Sequence, residues 1–297
     1  MSSRRRFLTA VASGIGAAAL KPLEASAPLP PEVKGSLGGA IGLQLWSVRD
    51  DLEKDIPGTL ARLRSLGVRV VESAGLAGTT VDAFRAALDR ADLVCRSSHI
   101  RFERIRDDMA GVIKEVQALG ATIIVCPWIP HDEKRGFTRE DASNAAAVFD
   151  EAGRRATDEG LRFGYHPHGY ELAPAPEGNL FEAIAAHTDP ALVSFEIDIF
   201  WAKAGGADPS HVIASLPGRV PLLHVKDMAK GLSLPPGSSG APKDTNVVAG
   251  KGQLDLPAIL RAARRSGTEI YFIEDESSKP WDQIPESLAY LSGLRLS

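Results

Sequence analysis

The feature that most restricts what this chain can become is an alternation, in which a short apolar, β-branched run is followed by a longer helix-periodic segment, eight times over from Ile41 onward. The runs that predict strands are Ile41–Trp46, Arg69–Ser73, Leu93–His99, Thr122–Trp128, Arg162–His168, Val193–Asp198, Pro221–Lys226 and Ile270–Glu274. Runs of this length, bounded by turn residues, read as buried strands. Helical periodicity fills the gaps over Pro57–Leu66, Val81–Arg90, Ile105–Leu119, Arg139–Glu159, Leu180–Ala186, Pro209–Ser215, Leu256–Ser266 and Ile284–Leu291. Three of these segments run into Gly67, Gly120 and Gly160, which suits a left-handed C-cap before the next strand. Strict strand-helix repetition of this kind predicts an α/β fold, a closed (β/α)8 TIM barrel. A doubly wound open sheet usually carries a glycine-rich phosphate turn after its first strand, and Gln44-Leu45-Trp46-Ser47 is not one. A chain of 297 residues is long enough for one such barrel, spanning 41–297.

In a parallel barrel the C-terminal strand ends converge on the active-site face. Four late runs end in metal-binding side chains: Tyr165-His166-Pro167-His168, Glu196-Ile197-Asp198, His224-Val225-Lys226-Asp227 and Glu274-Asp275-Glu276. Side chains alternate along a strand, so His166 shares a face with His168, Glu196 with Asp198, and His224 with Lys226. Such groups cannot face the helix layer cheaply and are expected to point into the barrel mouth. The candidate metal ligands are one or both of His166 and His168, with Asp198, His224 and Glu274. A mixed imidazole and carboxylate set suits Mn²⁺, Zn²⁺, Co²⁺ or Fe²⁺. Glu274 is the first candidate for a base. Lys226 could stabilise an oxyanion or protonate a leaving oxygen, and His166 is a further candidate for catalysis. Glu72 and His99, at the ends of earlier strands, could orient substrate hydroxyls, while Trp46, Trp128 and Trp201 could stack on a sugar ring.

In their order and spacing, these motifs and Gln44-Leu45-Trp46-Ser47 resemble the sugar phosphate isomerase/epimerase, or xylose-isomerase-like barrel, superfamily from Ile41 onward. The resemblance implies a metal held by Glu, Asp, His and Glu from the last four strands, with the two Glu residues acting as acid and base. Asp198, His224 and Glu274 match that pattern, whereas the fifth strand offers Tyr165-His166-Pro167-His168 where a Glu would stand. The expected activity is a metal-dependent isomerase or epimerase that abstracts a proton next to a carbonyl of a sugar. With histidine in the fifth-strand position, the same abstraction followed by loss of a β-substituent would make a lyase or hydratase acting on 3-keto-glycosides. A non-catalytic periplasmic sugar-binding barrel would instead bind sugar regardless of chelation. The abasic-site endonucleases that border this superfamily need a multinuclear site with more ligands than these motifs supply.

The N-terminus carries a separate message. Ser3-Arg4-Arg5-Arg6-Phe7-Leu8 precedes a mild apolar stretch from Thr9 to Leu20, resembling a twin-arginine export signal and too short for a stable membrane span. Ala25-Ser26-Ala27 resembles a cleavage site, although Pro28 follows it directly, so residues 1–27 are read as a signal peptide and 28–40 as a linker. The expectation is a periplasmic or secreted protein that uses the twin-arginine export machinery. Phosphorylated sugars are mainly cytoplasmic, so the expected partner is a non-phosphorylated carbohydrate. A formal net charge of −4 and a pI near 6.0 offer no basic surface for nucleic acid. Cys95 and Cys126 fall on neighbouring predicted strands, do not make a disulfide framework, and read as buried free thiols. The connection from Met228 to Gln253 is long for a compact domain, which suits a loop that closes over substrate or an insertion of no function.

Overall fold

The structure, a computed structural model, describes residues 36–296 apart from positions 133 and 177. The expected leader at 1–27 and the linker up to residue 35 lie outside the described residues. Eight strands form the sheet: β1 (Ala40–Gln44), β2 (Val70–Ser73), β3 (Val94–His99), β4 (Ile123–Cys126), β5 (Arg162–Tyr165), β6 (Val193–Asp198), β7 (Leu222–Val225) and β8 (Ile270–Ile273). Each pairs in parallel with its sequence neighbours, and β8 pairs with β1 to close the barrel, Ala40 opposite Ile270. The expected (β/α)8 barrel is the observed fold.

Alternation along the strands divides the core in two. One set of side chains packs outward against the helices, including Leu43, Val71, Ile124, Phe163, Leu223 and Tyr271. The other set, Ala40, Val70, Ile123, Val125, Leu222, Ile270 and Phe272, fills the barrel interior. The Phe272 ring crosses so close to β1 that a Cβ on Gly42 would lie 2.7 Å from it, which explains a glycine inside a strand. Gly67, Gly120 and Gly160 all take positive φ, at 92°, 73° and 74°, as left-handed helix stops require.

Several boundaries differ from the sequence-based expectation. Strand β5 stops at Tyr165, so His166 and His168 lie beyond the ladder. β1 stops at Gln44, and Trp46 sits in a 3-10 turn over Leu45–Val48, 42% exposed. The helix expected over 105–119 is two helices, Phe102–Asp107 and Met109–Ala118, because Asp108 leaves helical geometry and its carboxylate caps the second through the Gly111 N–H. The last helix starts earlier than expected, spanning Pro280–Gly293. Cys95 and Cys126 are free and buried on neighbouring strands. Among the described residues no helix is long and apolar enough to cross a membrane.

The long connection after β7 is ordered by one side chain. Asp227 begins a two-stranded antiparallel ribbon in which Asp227–Met228 pairs with Asn246–Val247. Its buried carboxylate accepts four backbone N–H groups: Met228 at 2.8 Å and Leu254 at 3.2 Å on Oδ1, and Gly250 and Gly252, each at 2.9 Å, on Oδ2. A Cβ on Gly252 would lie 2.2 Å from Oδ1, so glycine is what lets the loop backbone approach this carboxylate.

Candidate metal centre and active-site cavity

The alternation that fills the barrel interior also builds the site above it. Val70 and Leu222 belong to the interior layer, and two residues further on Glu72 and His224 reach the mouth, followed on the β7 side by Lys226. Phe272 leads to Glu274 in the same way. Asp198 pairs in register with His224, and Gln44 with Glu72. Glu72, Glu196, Asp198, His224 and Lys226 are at most 2% exposed, and Glu274 is 7% exposed.

His224 stands between two groups, one at each ring nitrogen. Its Nε2 lies 2.8 Å from Glu72 Oε1 and 3.2 Å from Glu196 Oε2. Its Nδ1 faces Glu274 Oε2 at 3.4 Å and Asp198 Oδ2 at 4.0 Å. The first group extends to His99, whose Nε2 is 2.8 Å from Glu196 Oε2 and 3.0 Å from Glu72 Oε1, and to His166, whose Nδ1 is 3.4 Å from Glu196 Oε2. Gln44 donates to Glu72 Oε1 at 2.6 Å, so this carboxylate oxygen is surrounded by donors. Among the described residues, two sets of side chains are thus close enough to hold a cation: His99, His166, Glu196 and His224, and Asp198, His224 and Glu274.

The second set fits a divalent ion best. Asp198 spends Oδ1 capping the helix Ile199–Ala204 through Phe200 N at 2.7 Å and Trp201 N at 3.0 Å, which fixes its orientation and leaves Oδ2 free. Among the described residues, Asp198 Oδ2 and His224 Nδ1 are buried polar atoms without a hydrogen-bond partner, and such atoms are costly unless something binds them. A neutral His224 that donates from Nε2 to Glu72 presents the Nδ1 lone pair, since the carboxylate at one nitrogen fixes the tautomer and orientation that an imidazole ligand needs at the other. Two carboxylates and an imidazole suit Mn²⁺, Co²⁺, Zn²⁺ or Fe²⁺. Lys226 is the competing cation, with Nζ 3.2 Å from Glu274 Oε2 and 4.0 Å from Asp198 Oδ2, and Glu276 is bonded to it from the rim.

Electrostatics sort these groups into protonated and ionised members. Burial disfavours charge on His224, but Glu196 and Glu274 outweigh it and hold the pKa well above the usual imidazole value. His99, also opposed by burial, is raised to about 9 by Glu72 and Glu196. Burial and the neighbouring His224 lower His166 to about 4, leaving it neutral. Burial pushes Asp198 up to about 7 despite Lys226. Against the same burial, Lys226 and His224 hold Glu274 well below the usual carboxylate range. Glu274 is therefore held ionised, and Lys226 is kept as an ammonium, raised by Glu274 and Asp198 against its own desolvation.

A cavity of about 960 Å³ opens above these groups, lined by Glu274, Lys226 and His166 at its floor and by Trp46, Trp128 and Trp201. All three tryptophans expected near a sugar therefore reach it. Trp46 is tied down by its Nε1 donating to Glu276 at 3.0 Å, and Trp201 packs against His168 with ring centroids 5.3 Å apart. His166 joins the Glu196 side of the site, while His168 falls outside both cation-sized sets and packs between Trp128 and Trp201, its Nδ1 unpartnered among the described residues. Backbone alternation ceased to apply once β5 ended before Pro167. The sequence-based candidates omitted Glu196, Gln44 and Glu276. Glu196 was legible as sharing a face with Asp198, but the resemblance implied one ligand per strand.

A profile of a family described as xylose isomerase-like TIM barrel matches residues 60–294. A search of curated proteins finds no match. Among solved structures, a sugar phosphate isomerase/epimerase from Parabacteroides distasonis is 25% identical, with a TM-score of 0.70 over 86% of this chain and 95% of its own. A second sugar phosphate isomerase/epimerase from the same organism is 22% identical, with a TM-score of 0.71 over 86% of this chain and 99% of its own. The IOLI protein, solved with a zinc atom bound, is 15% identical, with a TM-score of 0.62 over 85% of this chain and 94% of its own. The last two likenesses bear on the fold alone.

Proposed function

We propose that this chain, which belongs to the xylose isomerase-like TIM barrel family, is a divalent-metal-dependent enzyme that abstracts a proton next to a carbonyl of a non-phosphorylated sugar or keto-sugar. The observation that carries this reading is the meeting of Asp198 Oδ2, His224 Nδ1 and Glu274 Oε2 beneath the cavity, with the Lys226 ammonium beside them. Asp198, His224 and Glu274 would hold the ion, which when bound would polarise a carbonyl and its neighbouring hydroxyl. Glu274, ionised at neutral pH, takes the proton from the adjacent carbon, and Lys226 supplies a proton to the substrate oxygen. Glu72 keeps the His224 ring in place through Nε2, and Glu196 holds His99 and His166 in the same way. The three tryptophans present apolar faces to the sugar and exclude water. The leader at residues 1–27 would place this activity in the periplasm or outside the cell.

The pairing of one Glu with one Lys also favours a second reading. Epimerisation needs a proton donor and an acceptor on opposite faces of one carbon. Here the donor Lys226 sits 3.2 Å from the base Glu274, on the same side of the site. That placement suits delivery of a proton to a departing oxygen, hence β-elimination from a 3-keto-glycoside. Incubation with Mn²⁺, Co²⁺ or Zn²⁺ and either free ketoses or 3-keto-glycosides separates the two by product, a C-epimer or a released aglycone. Asp198→Ala and His224→Ala are expected to abolish turnover. Absence of any turnover with all three metals, or sugar binding indifferent to both substitutions and to chelation, would overturn the enzymatic reading in favour of a sugar-binding barrel.

A further inference from the structure

The floor of the cavity carries the proposed chemistry, and its rim carries charge that this chemistry does not use. The acidic residues lining the cavity are all matched: Glu274 and Glu276 contact Lys226, and Arg104 bonds Glu115 at 2.8 Å. Three lining cations remain. Arg101 is exposed, and its side chain makes no hydrogen bond or ion pair among the described residues. Arg49 bonds the Trp46 carbonyl at 2.8 Å, stacks 4.4 Å from the Trp46 ring, and meets only the exposed Asp50 carboxylate, at 3.8 Å. Lys243, on the long loop, faces the charge of its neighbour Asp244. A surplus of positive charge at the mouth of this cavity is unexpected in a chain of net charge −4 and is the pattern that focuses anions.

Position gives this charge a role. Arg101 follows β3, three strands round the closed barrel from β8, whose end carries Glu274, whereas Arg49 follows β1, the neighbour of β8. A ligand with its reacting carbon at Glu274 and a charged group at Arg101 therefore reaches across the barrel mouth. The cavity's volume, about 960 Å³, stands at the upper end of the roughly 300–1,000 Å³ of small-molecule sites, more than one sugar ring occupies. On the premise that the cavity holds a sugar, as proposed above, we infer that the substrate is an acidic glycoside of two rings whose distal ring carries a carboxylate received by Arg101. A planar guanidinium with no other partner matches a carboxylate with two parallel hydrogen bonds. Arg49, held flat on Trp46, and Lys243 add to the attraction without closing on the ligand.

Isothermal titration of the full chain with cellobiose, with its acidic counterpart glucuronosyl-β-1,4-glucose, and with glucose 6-phosphate tests this. The acidic disaccharide is expected to bind at least ~10-fold tighter than cellobiose at low salt, the gap narrowing as salt screens the rim. Arg101→Gln, an exposed substitution, is expected to bring the ratio of the two affinities close to one. Equal affinity of the parent protein for cellobiose and the acidic disaccharide would overturn the inference and leave the sugar reading standing. Dependence on Arg101 for glucose 6-phosphate but not for the carboxylate would overturn it in favour of a phosphate site. Binding of none of the three would overturn the sugar reading and this inference together.

Discussion

Replacing Asp227 with Asn changes one oxygen to an NH2 group at a site built entirely of donors. The carboxylate accepts Met228, Leu254, Gly250 and Gly252 N–H groups at 2.8 to 3.2 Å, two on each oxygen. Whichever way the new amide turns, two backbone N–H groups lose their acceptor and meet a donor instead. Hydrogen bonds to a charged group contribute about 1.5–3 kcal/mol each, so the loss would reach roughly 3–6 kcal/mol if nothing moved. Of the two donors on Oδ2, Gly250 is exposed and Gly252 half-buried, so both can turn to water, which places the expected loss near the lower end, about 3 kcal/mol. For a domain of this size that is a fall in Tm of roughly 6–12 °C. Urea unfolding should show the same loss with an unchanged slope, and limited proteolysis should cut the 229–249 segment faster than in the parent protein. A loss below about 1 kcal/mol, with the segment no more susceptible, would refute the view that this carboxylate organises the loop.

Three further outcomes follow from the site. Glu72→Ala should weaken Mn²⁺ or Zn²⁺ binding by about 10–100-fold, since the His224 ring loses the nearer of the two carboxylates at Nε2; an unchanged Kd in a titration would show that Glu196 alone holds the ring. Asp198, raised to about 7, and His224, raised well above the usual imidazole value, must both release protons to a cation, so metal affinity should increase from pH 6 to pH 8. Proton release would appear as a binding heat that varies with the buffer's ionisation enthalpy, and pH-independent affinity would contradict the ligand set. Glu171, buried beneath Tyr165 and accepting the His168 N–H at 2.9 Å, has its carboxyl raised by burial well above 4.5. The folded chain then keeps a proton that the unfolded chain releases, so this group's stabilisation is complete below about 4.5 and is lost as pH rises toward the folded value. Glu171→Gln, which keeps an acceptor for Tyr165, should flatten the decline of the urea midpoint between pH 5 and 8, and an unaltered decline would place the missing proton elsewhere.

The barrel was legible because its signals are local. Apolar runs, helical periodicity and the glycine stops at 67, 120 and 160 each speak about a few residues at a time, and the closure of β8 on β1 follows from their number and order. Asp198, His224, Lys226 and Glu274 were legible for the same reason, since period-two alternation carries the interior face of a strand up to the mouth. His168 was not, because the ladder stops at Tyr165 and the residues after Pro167 obey no strand rule. The division of labour at His224 was hidden for a different reason. Which nitrogen meets Glu72 and which meets Glu274 depends on side chains from β2 and from the end of β8, far apart in the chain. Asp227, an odd-numbered step out of the alternation that places His224 and Lys226, signals nothing until the loop returning to it is seen.

That returning loop has a consequence for how this scaffold can diversify. Residues 229–249 leave and re-enter the barrel at a single carboxylate, directly after the two side chains that β7 gives to the site. With both ends joined at one point, changing the length of the segment between them costs little in closure entropy, about 0.6 kcal/mol for each doubling. The part of the cavity wall that comes from Ser239 to Asn246 can therefore be rewritten, lengthened or exchanged while His224 and Lys226 stay in register. On the function proposed above, substrate range and reaction chemistry are separately editable in this barrel.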